Sequence, residues 1–241
     1  MERASEKSAA ILGLSLLLGL VVLGFLARNA ALSVKALERT VTVKGLSERE
    51  VPADIATWPI TFQVASNDLD ELFASIEANN RTVTEFLGKY GLSGEEISYS
   101  PPSVADLYAQ QWGDKEHIKY RYTATASVTV YSKKVESVRT AMSNVVELGK
   151  QGVAIQGSTH PNQRNNQFLF TGLSALKPEM IEEATKNARA VAKKFAADSN
   201  SQLGKIKTAR QGQFSISNRD ATTPYIKTVR VVSTITYYLS D

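Results

Sequence analysis

The side chains most able to do chemistry are scarce and scattered in this chain. Among its 241 residues there is no cysteine, which excludes disulfides, thiolate metal sites, iron–sulfur clusters and thiol nucleophiles. Zero cysteine suits a reducing cytosol and an oxidising envelope equally, so it names no compartment. The only histidines are His117 and His160, far apart in sequence, which leaves no histidine-rich metal site. His160 lies in the polar run His160-Pro-Asn-Gln-Arg164, where a histidine with no partner in view reads as an exposed loop residue rather than a catalytic one. Glu95-Glu96 and Glu182-Glu183 are paired carboxylates, but neighbours on a helix or strand point apart, so neither pair makes an acid/base couple. Asp54 reads as a turn or edge charge. No glycine-rich dinucleotide or phosphate loop, no G-x-S-x-G and no H-E-x-x-H occurs. The expectation is therefore no catalytic, cofactor-binding or metal-binding residue, no cofactor and no enzymatic activity.

Charge is unevenly spread. Residues 1–44 carry 6 basic and 3 acidic side chains, residues 45–116 carry 4 and 13, and residues 117–241 carry 18 and 8. The balance thus swings from −9 in the middle segment to +10 in the last, which reads either as ordinary solvated faces or as charge complementarity that can favour association between copies or between halves. The basic residues are interspersed with acids and lack the aromatic-basic motif of an RNA-binding sheet, so no nucleic acid is expected. Tyr99, Tyr108, Trp112, Tyr120 and Tyr122 gather around one hairpin. They pack across strands or, because Tyr and Trp are enriched at interfaces, touch a second subunit. Tyr108, Trp112, Tyr120 and Tyr122 are the candidate oligomer contacts.

The elements that must position these residues follow from periodicity. Thr40 to Gly45 alternates as a strand, with a turn starting at Gly45. Ala53 to Ser66 is a long strand with Trp58, Ile60, Phe62 and Val64 on one face, and Pro59 predicts an edge or a bulge. Asn67 or Asp68 caps a helix whose apolar stripe is Leu69, Leu72, Phe73, Ile76, Val83, Phe86, Leu87 and Tyr90, and Gly91 ends it. Strands at 97–109 and 119–132 form a hairpin around Gly113-Asp114. Val135 to Leu148 marks a second helix, closed by Gly149 and Gly152, and short strands fall at 153–157 and 167–171. Pro178, with Glu179, Glu182 and Glu183, predicts the first turn of a helix reaching Ser199 and burying Ile181, Ala184, Ala188, Val191, Ala192 and Phe195. Two long strands, 205–217 and 225–239, close the chain. The fold class is α+β: antiparallel-rich sheets with helices packed on them, in two similar strand-strand-helix-strand-strand halves.

One transmembrane helix precedes this layout. Ser8 to Ala27, through Leu12, Leu16, Gly19 and Gly24, is free of charge and bracketed by Lys7 and Arg28. Its twenty residues span about 30 Å as a helix, the thickness of the hydrocarbon layer. A cleavable signal peptide is the rival reading. Its apolar core is shorter and ends at a small-x-small site, whereas Phe25-Leu-Ala27 puts a bulky residue where a small one is wanted. Basic residues are balanced across the segment, so the charge bias does not set the orientation. The organisation expected is a cytoplasmic stub at 1–7, an anchor at 8–27 in contact with the lipid bilayer, a linker at 28–39 and a folded domain at 40–241.

Several stretches carry a resemblance. Thr40-Val-Thr-Val-Lys-Gly45, Val51-Pro-Ala-Asp54-Ile-Ala-Thr57, Glu95-Glu-Ile-Ser-Tyr99 and Tyr122-Thr-Ala-Thr-Ala-Ser-Val-Thr-Val130 resemble the SIMPL-domain family, as do the alanine-rich helix Glu183 to Ala197 and Leu203-Gly-Lys-Ile206. The likeness covers about residues 40–239 in family order, and departs at Gly45-Leu-Ser-Glu, where many relatives have a second glycine. The resemblance implies a bacterial cell-envelope protein, exported, with relatives that form large ring-like or hollow oligomers and some linked to oxidative-stress defence. It supplies no catalytic residue. With the anchor retained, it implies a single-pass protein of the inner membrane with a periplasmic domain that self-assembles. Two alternatives stay open: a tethered binding module for a small molecule or an envelope partner, which requires an apolar pocket with a few convergent polar groups, and a hydrolase using His160 or a carboxylate.

Overall fold

The structure, a computed structural model, describes residues 2–36, 39–110, 118–156 and 166–240. The first helix, α1 (Glu2–Ala36), runs well past Ala27, so much of the segment read as a linker is helical. Within it Gly13–Ala30 has a mean hydropathy of 1.7 and no buried residue, long and apolar enough to cross a membrane. It is followed by β1 (Thr40–Pro52), β2 (Ile55–Ser66), α2 (Leu69–Gly88), β3 (Ile97–Tyr99), β4 (Ser103–Asp106), α3 (Leu107–Gln110), β5 (Tyr122–Ser132), α4 (Val135–Ser143), α5 (Val146–Lys150), β6 (Gln167–Leu169), α6 (Leu173–Asp198), β7 (Gln202–Gln211), β8 (Ser215–Asn218) and β9 (Ile226–Ser240). The α+β class with antiparallel sheets and a preceding apolar helix is the architecture observed.

The chain divides into two units, and these are not consecutive halves. Unit 1 comprises Met1–Glu48, Lys177–Ser215 and Arg230–Asp241; unit 2 comprises Arg49–Leu176 and Ile216–Val229. One sheet has the order β1-β9-β7, with β8 also paired to β9; the other has the order β3-β5-β2-β6, with β4 also paired to β5. In unit 1 the inner face of the sheet, including Val43, Ile235 and Tyr237, packs on the small residues Ala188 and Ala192 of α6. In unit 2 alternate residues of β2 and β5, among them Trp58, Ile60, Phe62, Val128 and Val130, pack on Leu72, Ile76, Val83, Phe86 and Leu87 of α2.

Six local expectations are corrected. Gly45 does not start a turn; it lies inside β1, where a Cβ would come within 1.9 Å of the Ala184 carbonyl oxygen and 2.8 Å of the Ala188 Cβ. Glycine stands there because α6 approaches the strand backbone. The strand read over 97–109 is split into β3 and β4, because Pro101-Pro102 has no N–H to give the ladder. The second helix breaks into α4 and α5 at Asn144-Val145, and the strand expected at 153–157 is a single bridge between Phe62 and Ile155. Helix α6 starts about a turn before Pro178, which sits inside it. Finally, Leu69 and Phe73 of α2, and Val191 and Phe195 of α6, are exposed; α6 buries Met180, Ala184, Ala188, Ala192 and Ala196 instead.

Pro59 causes no bulge: it stays in register opposite Thr129. The N–H of Gln63 donates to the Ala154 carbonyl and the N–H of Gln156 to the Thr61 carbonyl, so odd-numbered residues of β2 face away from β5. On that side β6 pairs only as far as Thr57, so the missing N–H of Pro59 falls at a local edge.

Candidate functional site

Asp54 proves to be a clamp. Its carboxylate accepts from the Thr171 N–H at 2.8 Å, the Thr171 hydroxyl at 2.8 Å and the Gly172 N–H at 3.1 Å, just ahead of α6. It thereby satisfies backbone donors at a helix start that has no local capping residue. Glu96 is equally structural. It accepts from the Ser132 hydroxyl at 2.5 Å and from the Lys134 ammonium at 2.9 Å, and these bonds hold its carboxyl below the usual range. Glu183 accepts from the buried Ser47 hydroxyl at 2.9 Å, and Glu182 pairs with Lys186 on the surface of α6. Glu95, the neighbour of Glu96, is exposed. His117 and His160 lie outside the described residues, and among the described residues no cluster of three metal-ligating side chains occurs.

Of the candidate oligomer contacts, Trp112 lies outside the described residues. Tyr108 and Tyr120 are exposed, while Tyr122 packs against the core of unit 2. Tyr108 and Tyr122 are organised by Arg121, whose guanidinium lies 5.7 Å and 4.8 Å from their ring centres. Arg121 donates to the Asp106 carboxylate at 2.9 Å and 3.2 Å, which raises the arginine and lowers the acid relative to their ordinary values. In the anchor, Ser8, Leu12, Leu16, Gly19, Gly24 and Ala27 all lie within α1, and Leu16 is exposed.

One cavity was not anticipated. It is a cleft of about 660 Å³ in unit 2, lined by Arg139 and Met142 of α4, Phe168 of β6, Asn218 of β8, and Thr222 and Tyr225 of the loop into β9. Arg139 stacks 3.5 Å above the centre of the Tyr225 ring and pairs with Glu136 at 2.6 Å. Phe168 meets Tyr225 edge to face at 6.1 Å. The loop is pinned by Asp220, which accepts from the N–H groups of Thr222 at 2.7 Å and Thr223 at 2.6 Å, from both threonine hydroxyls and from Arg219; these bonds hold its carboxyl far below the ordinary range. Behind Asn218, the Lys227 ammonium donates to Asn218 Oδ1 at 2.5 Å. Lys227 is buried, and that burial lowers its pKa. One sequence signal pointed here: Lys227 shares the parity of Val229, Val231, Ile235 and Tyr237 on β9, a lysine in an otherwise inward-facing row.

Residues 41–237 match the model of the SIMPL family, described as a protein of unknown function (DUF541). The chain belongs to the SIMPL family. No curated protein matches it. The SIMPL domain therefore begins one residue into β1 and ends within β9, leaving the apolar helix outside it.

Proposed function

We propose that this SIMPL protein is a non-enzymatic component of the bacterial cell envelope, held by α1 in the inner membrane with its domain in the periplasm. There it assembles with copies of itself into a ring-like or hollow oligomer that serves envelope or oxidative-stress defence. The observation that carries the reading is a pair of exposed apolar sites on oppositely charged helices. On α2, Leu69 and Phe73 lie one turn apart in the open, with Asp70, Glu71 and Glu77 exposed around them. On α6, Val191 and Phe195 do the same beside exposed Arg189, Lys193 and Lys194, with no acid between Asn187 and Ala197. Each pair sits at the spacing that ordinarily faces a core.

The two faces differ in sign, so the α2 face of one copy complements the α6 face of the next. Such a contact is heterologous, and heterologous contacts that close produce rings. The anchor confines copies to one plane and one orientation, which raises their effective concentration.

The test is the mass of the full-length protein in mild detergent by light scattering, with the detergent contribution subtracted. A discrete large oligomer is expected, and Phe195→Glu, which puts an acid on the basic face where it must meet the acidic one, is expected to reduce it to smaller species. A wild-type monomer would sink the proposal.

A further inference from the structure

The cleft of unit 2 has a charge arrangement that nothing in the assembly uses. Lys227 is 7% exposed, yet among the described residues the only polar partner of its ammonium is the neutral Asn218 side chain. A buried cation is costly unless it is paired. The nearby acids are engaged elsewhere: Glu136 on Arg139, and Asp220 on Thr222, Thr223 and Arg219.

The lysine also fixes how Asn218 is presented. An ammonium only donates, so the amide oxygen must face Lys227. The amide NH₂ of the exposed Asn218 is thereby left to the cleft. Arg139 adds a second set of donors. One of its nitrogens serves Glu136, and among the described residues its remaining N–H groups have no hydrogen-bond partner. Asn166, at the same cleft, makes no hydrogen bond with a described residue. The rest of the lining is Met142, Phe168, Ala221, Pro224 and the Tyr225 ring, with Ser143 and Thr222, whose hydroxyls donate to the Arg139 carbonyl and the Asp220 carboxylate. The Asn218 amide and the Arg139 guanidinium thus line the same cleft as an apolar wall, and its volume lies within the range of small-molecule sites.

We propose that this cleft binds a small organic monocarboxylate with an apolar body. The carboxylate accepts from the Asn218 amide and the Arg139 guanidinium and supplies the counter-charge that Lys227 lacks; the apolar body lies against Phe168, Met142 and Tyr225. A neutral molecule of the same shape gains only the apolar contacts, and a dianion exceeds the one unbalanced charge, because Arg139 is already paired with Glu136.

The test uses the full-length protein in phosphatidylcholine nanodiscs, titrated with para-trifluoromethylbenzoate and followed by fluorine NMR. Empty discs provide the blank and para-trifluoromethylbenzyl alcohol the uncharged counterpart. Saturable binding of the acid is expected, about tenfold or more tighter than the alcohol, the value of one charge-assisted contact. Lys227→Met is expected to weaken the acid by about tenfold and leave the alcohol unchanged. Asn218→Asp provides a variant that does not depend on tolerating a lost lysine. It places a carboxylate beside Lys227 in cis, so it is expected to raise the thermal midpoint and abolish acid binding. Equal binding of acid and alcohol, no saturable binding, or full acid affinity in folded Asn218→Asp protein would each overturn the proposal.

Discussion

At the scale of single residues, this SIMPL domain uses its carboxylates as structural acceptors. Asp54 reaches across more than a hundred positions to hold the backbone at Thr171 and Gly172. Asp54→Ala leaves those donors without their acceptor and is expected to lower stability by about 1–3 kcal/mol, measured by denaturant unfolding of the full chain. Asp54→Asn, which keeps one acceptor oxygen, is expected to lose less. Glu96 provides a pH signature. Its carboxyl is lowered by the Ser132 and Lys134 bonds, so its contribution is fully present above about pH 5 and is lost as pH falls through the depressed folded value. Glu96→Gln is expected to flatten the acid limb of the stability–pH curve while changing the slope above about pH 6 little. Identical acid limbs in the two proteins would contradict this. The bonds to Thr171, Gly172, Ser132 and Lys134 were not legible in the sequence, because those partners lie tens of residues away; only the Ser93–Glu96 capping box has a local spacing.

At the scale of elements, the legible features were those fixed by local periodicity. Helix α2, its Asp68 cap, its stop near Gly91 and the strict alternation of β2 and β5 all follow from residues within a few positions of one another. The misread features were decided elsewhere. Pro178 and its acids look like a helix start, but Asp54 caps the chain a turn earlier and α6 accommodates the proline inside it. Val191 and Phe195 look like a buried stripe, but the close approach of α6 to β1 favours the alanine face, and Gly45 is the matching gap in the strand. Gly45→Ala is the sharpest test of that packing. The new methyl would meet backbone atoms rather than a side chain able to move, so a loss of at least about 2 kcal/mol is expected in thermal or denaturant unfolding. A neutral substitution would mean that α6 sits further from β1. The cleft was illegible for the same reason as the clamp: α4, β6 and the loop after β8 are separated in sequence, and only the misplaced parity of Lys227 betrays it.

At the scale of the whole molecule, the chain is a long apolar helix followed by a folded domain that returns to its own beginning. The absence of cysteine makes its orientation in the bilayer directly measurable, since a single introduced thiol is the only one present. With Ser5→Cys ahead of the apolar stretch and Ser217→Cys on the domain, each in a separate protein, a membrane-impermeant maleimide is applied to spheroplasts. It is expected to label position 217 and to leave position 5 unlabelled until the cells are lysed. The opposite pattern would place the domain in the cytoplasm and remove the envelope assignment.

The strand order β1-β9-β7 has a consequence for timing. Strand β9, the last of the chain, lies between the first strand and β7. As the chain is made, β1 is delivered early and then waits while the residues up to β9 follow. Unit 2 can gather most of its core from contiguous sequence in that interval, whereas the first sheet cannot close until the last residues arrive. Closure of the sheet that holds β1, the strand after α1, thus waits on β9. A chain cut short at any point before β9 keeps β1 without its partner strand, an open edge of the kind that invites aggregation.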